Sequence, residues 1–458
     1  MTSFICNTNI PYSWNMLSWD KARANLYRLQ KRIFKSVFVG DIQKCLQIQK
    51  LLISSNSACL LSIRLVSQSN IKYNSGVDDK ISLSFLEKFE LVKFLQKNAN
   101  NWSPQKNKKI SFINENSCFY KKTTFTFSDQ SWQTLVKFAL EPAHEAIFSP
   151  RNFGYRSHNS IYDAQKILFL NLNKASYGFQ KRVLIVKFSD VCYSFNYNIL
   201  LKKIIIPRSI KLGIFRFLKS GLFPSFEKPS SENSLEILLA NILLNGVENI
   251  HNSIRYGSNF LIFLNPSDNE SIIINKLERF LDLLGIPNLN KVLKIYSAID
   301  GFDFLNWHFK VYNNFNLYCS PSTENYRTFL KRVKLIINNS NYGSSVKVLK
   351  ISPIIKEWKI YNQFCNLKNF KTSLFFLQKK AFKSFSKESK NDRYSTKRLI
   401  SKSFFNLSSL DLNNINLNKK YSFYGVHILF WFEYKNFLPY NKICINNKIL
   451  CIHCGLNI

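Results

Sequence analysis

Apolar and polar positions in the first part of the chain alternate with helical spacing. Leu26, Leu29, Ile33 and Val37 recur every three or four residues, and Arg23, Arg28, Lys31, Arg32 and Lys35 fill the positions between them. Residues 14–68 therefore read as helical, with Gly40-Asp41 marking a turn into a second helix through Leu46 and Leu52. Residues 70–79 read as a loop and 83–97 as another amphipathic helix. Residues 130–146 read as a helix that ends near Phe148-Ser149-Pro150. Two stretches, 182–188 and 253–264, are short, apolar and β-prone, the second with a turn at Gly257-Ser258-Asn259. An apolar helix over 237–248 lies between them, so the pattern predicts an α+β fold with a small sheet. After Pro321 the pattern becomes one of basic amphipathic helices over about 326–405. There Leu330, Val333, Ile336 and Ile337 form one face and Lys331, Arg332 and Lys334 the other. From about 406 the chain is Asn-rich and then aromatic.

Composition adds a partner to this picture. The chain has 458 residues, room for two to four domains, and 46% of them are hydrophobic, ample for buried cores. Lys and Arg total 64 against 28 Asp and Glu, a formal charge of +36. A folded chain with that excess calls for an anionic partner, nucleic acid first and an anionic membrane surface second. The 41 Phe and 21 Tyr beside 2 Met and 13 Gly suggest A/T-rich coding of an organellar kind, so part of the Lys content reflects codons. The ten cysteines are scattered and read as reduced thiols. No apolar run approaches the roughly 20 residues of a membrane span. The opening MTSFICNTNIPYSW lacks a basic region followed by an apolar run, so no removable leader is expected.

Several short motifs occur in a fixed order. They are Trp19-x3-Arg23 followed by Leu29 to Lys35; Gly76-Val77-Asp78; Leu140-Glu141-Pro142-x2-Glu145-x2-Phe148; Phe153-Gly154-Tyr155-Arg156 with Asp163-Ala164; Leu238-Leu239-Ala240-Asn241 with Leu244 and Glu248; Gly301-Phe302-Asp303-Phe304-Leu305; and Leu349-x3-Pro353-x4-Trp358-x2-Tyr361. Together, over roughly 14–405, they resemble the proteins encoded within group II introns. Among these, the degenerate maturase-like proteins of euglenoid plastid introns, of groups II and III, are the most similar. The resemblance implies a basic helical N-terminal extension over 1–80 and degenerate reverse-transcriptase fingers and palm over 81–320. It further implies a helical thumb, the maturase domain X, over 321–410, and a tail over 411–458.

A template-directed polymerase needs carboxylates that hold two divalent metals. The resemblance places the first of these at Lys187 and the other two at Ser258 and Asn259, within Tyr256-Gly257-Ser258-Asn259. A lysine, a serine and an asparagine cannot supply three anionic ligands, so no polymerase activity, metal or cofactor is expected. Asp190 lies three residues beyond Lys187 and would point elsewhere. The family's Pro-Gln-Gly loop is replaced by Pro229-Ser230-Ser231-Glu232-Asn233, and Cys192 takes the place of the aromatic that screens the sugar hydroxyl. Tyr256 reads as a packed strand residue. Near the C-terminus Cys451-Ile452-His453-Cys454-Gly455 resembles the first half of an HNH nuclease domain. No second cysteine pair follows, and Cys444 and His427 have no recognised spacing, so it reads as a remnant without metal.

What remains is a surface for RNA. Lys and Arg can neutralise packed phosphates without chemistry, and aromatics can stack on unpaired bases. The expected contacts are Arg23, Arg28, Lys31, Arg32 and Lys35 in the first helix, with Lys331, Arg332, Lys334, Lys347, Lys350, Lys356 and Lys359 in the thumb-like segment. Trp358 and Tyr361, three apart on one helix face, read as core packing before stacking. The expected partner is intron RNA, with neither DNA nor membrane. The function implied by the resemblance is assistance in folding and excising an organellar intron. The alternatives are an active reverse transcriptase for intron mobility, a decayed reading frame without function, and a basic membrane-surface protein.

Overall fold

The computed structural model describes residues 14–69, 82–105, 108–113, 119–156, 159–188, 195–222, 224–226, 235–286, 293–312, 316–388, 392–408, 442–445 and 448–451. The apolar stripe of the first helix, α1 (Trp19–Phe38), buries Leu26, Ile33 and Val37. Asp41 caps α2 (Ile42–Ser54) by accepting from the Lys44 amide at 3.0 Å. Ser55, in extended backbone, separates α2 from α3 (Asn56–Ser69), a break that the apolar periodicity alone does not reveal. A reciprocal capping box, Ser84 with Glu87, opens α4 (Phe85–Asn98). Strands β1 (Lys108–Ile113) and β2 (Phe119–Thr124) form an antiparallel pair. Helix α5 (Phe127–Glu145) follows, with α1, α2 and α3 packed around it. It is buried nearly all round, as expected of a helix surrounded by others.

The central sheet gathers strands far apart in sequence. After α6 (Ile161–Leu172) comes β3 (Arg182–Lys187), then α7 (Tyr197–Lys203), α8 (Arg208–Ser220) and α9 (Leu235–Leu244). Strands β4 (Ser253–Tyr256) and β5 (Asn259–Leu264) form a hairpin, followed by α10 (Glu270–Leu284) and β6 (Leu293–Ser297). The order is β4-β5-β3-β6, every neighbour antiparallel. Successive side chains point to opposite faces. Leu184, Val186, Phe188, Phe260, Ile262 and Leu264 enter a core shared with α1, α2, α3, α5, α9 and α10. Val183, Ile254, Leu261 and Phe263 enter a second core on the other face. With both faces covered, β3 and β5 read as continuous apolar runs rather than alternating ones.

The second core is completed by a three-stranded sheet, β7 (Phe302–Phe304), β8 (Trp307–Val311) and β9 (Leu317–Pro321), and by the C-terminal helices. These are α11 (Thr323–Asn338), α12 (Ser344–Tyr361), α13 (Lys371–Glu388) and α14 (Arg393–Ser408). Three hydrogen bonds tie the C-terminal end of α12 to α6 and to the β7–β8 hairpin. Tyr162 Oη donates to the Ile360 carbonyl at 2.6 Å, Tyr361 Oη to the Leu305 carbonyl at 2.6 Å, and Trp307 Nε1 to Asn362 Oδ1 at 3.2 Å. Strands β10 (Lys442–Ile445) and β11 (Lys448–Cys451) form a final antiparallel pair. The result is the mixed architecture of helices and small antiparallel sheets that the pattern predicts. The loop read over 70–79, including Gly76-Val77-Asp78, lies outside the described residues. Among the described residues no helix is long and apolar enough to cross a membrane.

Candidate nucleic-acid interface

The β4–β5 turn is Tyr256-Gly257-Ser258-Asn259, with Gly257 at φ +59°. A two-residue hairpin with positive φ at its first central position favours glycine. Glycine is also needed beneath it, since a Cβ on Gly154 would lie 1.9 Å from the Gly257 amide nitrogen. Strand β3 runs alongside. Lys187 is the register partner of Asn259, and the Phe188 amide donates to the Ser258 carbonyl at 2.8 Å. The structure thus brings Lys187, Ser258 and Asn259 together at one end of the sheet, although some seventy residues separate the first from the others. Lys187 is exposed, Asn259 half-buried and Ser258 buried. Among the described residues no group of three or more His, Cys, Asp and Glu side chains is placed to hold a metal ion. Asp190, Cys192 and the segment 229–233 lie outside the described residues.

Under the turn the polar groups pair with one another. Arg255 is fully buried, its Nε 2.6 Å from Glu248 Oε1, and its Nη1 donates to Asn241 Oδ1 at 2.9 Å. Asn241 Nδ2 donates to the Gly154 carbonyl at 3.0 Å. A second buried pair, Arg156 with Glu145, is bidentate, with Nη2 and Nε at 2.7 and 3.0 Å from Oε2. Burial raises the Glu145 carboxyl above its ordinary pKa, and the neighbouring Arg156 opposes that rise. Next to it, burial pushes His144 down to about 3, with Lys211 adding to the effect, and its Nε2 accepts from the Ile205 amide at 3.2 Å. The motif residues Glu145, Gly154, Arg156, Asn241 and Glu248 therefore converge on one hairpin and hold its shape.

On the open side, Tyr155 has φ +56° and stacks on Phe226 with centroids 5.9 Å apart. Tyr256 is half-buried, 5.8 Å from the Tyr155 ring, and burial raises its phenol above the ordinary pKa. It is a packed strand residue, as its sequence position suggests.

The basic residues divide by environment. On α1, Arg23, Arg28, Arg32 and Lys35 are exposed and Lys31 is half-buried. Arg23 pairs with Asp20 at 2.7 Å, and Arg28 donates to Asn25. On α11, Lys331, Arg332 and Lys334 are exposed opposite buried Val333 and Ile337. On α12, Lys350 and Lys356 are exposed and Lys359 half-buried, and Lys350 Nζ lies 3.6 Å from the Tyr342 ring centroid. Lys347 is the exception and corrects the expected contact set. It is wholly buried, and its ammonium donates to the Ile337 carbonyl at 2.8 Å and to Ser384 Oγ at 3.2 Å, joining α11, α12 and α13. It cannot meet an external phosphate. A signal for this was present: Lys347 shares helical spacing with buried Ile351, Ile355 and Trp358. Trp358 is buried, stacked on Phe329 at 4.5 Å, and Tyr361 lies 5.0 Å from the Trp307 ring, so both pack in the core. Cys451 ends β11 opposite Lys442, and Cys444 lies in β10, whereas Cys454, His453 and His427 lie outside the described residues.

Residues 14–95 match the family described as the N-terminal domain of reverse transcriptase. The chain is 45% identical to a Euglena gracilis protein named maturase-like protein 1, covering 96% of each. It is 44% identical to the Euglena longa protein of the same name, covering 96% of this chain and 97% of that one. Among solved structures, a Candida albicans telomerase complexed with a fragment of telomeric RNA aligns at 12% identity, over 69% of this chain and 64% of that one. Its TM-score of 0.32 is too low to carry an argument.

Proposed function

The chain belongs to the family of the Euglena maturase-like proteins, and from that premise we propose that it binds intron RNA and assists folding and excision without polymerising nucleotides. In this reading residues 1–80 are a basic helical extension, 81–320 a reverse-transcriptase-like fingers and palm, 321–410 a thumb or domain X, and 411–458 a tail. The RNA is a group II or group III intron of a plastid.

The observation that carries the reading is the contrast at the β4–β5 turn. Two ion pairs, Arg156 with Glu145 and Arg255 with Glu248, hold the chain beneath it, and at the turn itself Lys187, Ser258 and Asn259 come together, the positions to which the family resemblance assigns a polymerase's metal ligands. A lysine there supplies positive charge in place of ligands for it. The remaining capacity is electrostatic. Arg23, Arg28, Lys31, Arg32 and Lys35 on α1, with Lys331, Arg332, Lys334, Lys350, Lys356 and Lys359 on α11 and α12, offer cations that can displace counterions from packed phosphates. DNA and membrane are not needed as partners.

The test combines depletion with chemistry. A strain depleted of the protein should accumulate one or a few unspliced introns, and the purified protein should extend no primer with Mg²⁺ or Mn²⁺. Normal splicing of every organellar intron would overturn the splicing role, and primer extension would restore the mobility reading.

A further inference from the structure

One pair of side chains in the second core takes no part in the proposed RNA contacts. Cys319 lies in β9, two residues before Pro321 ends the strand. Cys365 lies in the connection between α12 and α13. Both are buried free thiols, each 3% exposed. They stand 46 residues apart in sequence, yet their Sγ atoms are 3.5 Å apart. Their backbones are held together independently of the sulfurs, since the Asn366 amide donates to the Cys319 carbonyl at 2.7 Å. A small rotation of either side chain therefore closes the gap to an S–S bond. By contrast, Cys59, another buried thiol, meets a carbonyl, that of Ile53 at 3.7 Å.

A third side chain is aimed at the pair. Gln165 on α6 is fully buried, and its Nε2 donates to Cys319 Sγ at 3.3 Å and reaches Cys365 Sγ at 3.9 Å. Its Oε1 is also buried and has no hydrogen-bond partner among the described residues. Burial raises the Cys365 thiol well above its ordinary pKa. The Gln165 amide works against that rise, because a donor favours the thiolate, the form that reacts. The place of the pair decides what a bond between them does. Helices α11 and α12 lie wholly between the two cysteines, so a bond closes them into one loop and fastens its far end to the three-stranded sheet. Those helices carry exposed Lys331, Arg332, Lys334, Lys350 and Lys356.

We infer that Cys319 and Cys365 are a redox site: they form a reversible disulfide that fastens the α11–α12 pair to the sheet of β7, β8 and β9. The oxidant is a small organic disulfide such as oxidised glutathione. One cysteine loses its proton to solvent, and its sulfur attacks a sulfur of the oxidant and expels one half as a thiolate. The second cysteine, deprotonated in turn, attacks the cysteine sulfur of that mixed disulfide and expels the other half. The pair loses two electrons and two protons, and the oxidant becomes two thiols. With both sulfurs so little exposed, the first attack waits for the α12–α13 connection to lift from β9, and its return brings the second sulfur into line. The site goes beyond the RNA-binding function and does not depend on it.

The test uses the full-length protein in glutathione buffers of increasing oxidised share. Exchange is quenched with acid, free thiols are alkylated, and the peptides are mapped by mass spectrometry. The native protein should yield the Cys319–Cys365 peptide pair, two hydrogens lighter than the thiols, and dithiothreitol should restore both thiols. Protein unfolded in denaturant before oxidation should show no preference for this pairing. Amides of α11 and α12 should exchange hydrogen about tenfold more slowly in the oxidised protein. Cys365→Ala, which leaves Cys319 without a partner, should abolish that change. Free thiols at both positions in the most oxidising buffer, or glutathione adducts alone, would overturn the site. So would a disulfide that leaves exchange in α11 and α12 unchanged. Either failure leaves the proposed function standing, whereas a protein that forms the bond yet binds no intron loses that function and keeps the site.

Discussion

Beneath the β4–β5 hairpin, two arginines are locked against carboxylates, whereas along α1 and α11 the cations other than half-buried Lys31 face water. Arg255 has no exposed surface and Arg156 little, and each meets one glutamate. Lys331, Arg332 and Lys334 are exposed on the side of α11 opposite its buried Val333 and Ile337. The same charge type thus does two jobs in one chain. The buried set fixes the shape of a hairpin, and only the exposed set is free to meet phosphate. Lys347 shows that position, not residue type, sorts them: it lies on the same helix as exposed Lys350 and Lys356 and is itself buried.

The comparison can be broken at its buried side first. Arg255→Ala should cost about 3–5 kcal/mol, because it leaves Glu248 buried and uncompensated. Replacing both partners with apolar residues of similar size should cost far less than the sum of the single changes, and chemical denaturation of the four proteins checks this. The pH dependence comes next. His144 is held neutral, with a pKa near 3 in the folded protein against an ordinary value of 6.5. The unfolded chain therefore binds the extra proton between those values, and stability falls as pH drops from about 6.5 towards 3, by a few kcal/mol. Burial of Glu145 raises its pKa and works in the opposite sense, so the difference between the wild-type protein and His144→Gln isolates the imidazole. The variant should lose less stability over that range in acid denaturation.

Lys347→Ala should cost about 1–3 kcal/mol, through the unsatisfied Ile337 carbonyl and lost packing, and its effect on RNA affinity should follow only from that loss. The smallest effect on stability, within about 0.5 kcal/mol, belongs to Lys331→Ala, Arg332→Ala and Lys334→Ala. These should instead weaken intron binding and lower the salt slope by about one for each phosphate contact removed, as titrations at several ionic strengths would show.

How much of this was legible depended on which signal each region carries. Helix α1 was readable because its stripe of Leu26, Ile33 and Val37 is regular. Strands β3 and β5 were readable as apolar runs. The β7–β8 hairpin shows no such signal, because Leu305 and Asn306 take positive φ where Asn-Gly would announce a turn. The resemblance motif Gly301 to Leu305 marks the place of that hairpin without its pairing. The break at Ser55 was hidden because serine there neither forbids nor requires a helix. At the candidate site, the meeting of Lys187 with Asn259 was implied by family motifs but lies beyond local pattern, since register joins them across the sheet. The network of Arg255, Glu248 and Asn241 was invisible as a network: its members were motif residues whose partners only the fold reveals.

The most direct measurement is crosslinking of the tagged protein to RNA inside its own organelle, followed by sequencing of what is attached. One or a few introns strongly enriched, with the enrichment lost when the exposed cations of α1 and α11 are removed, is the predicted result. Reads spread evenly over all transcripts, or none at all, would contradict a protein that grips intron RNA.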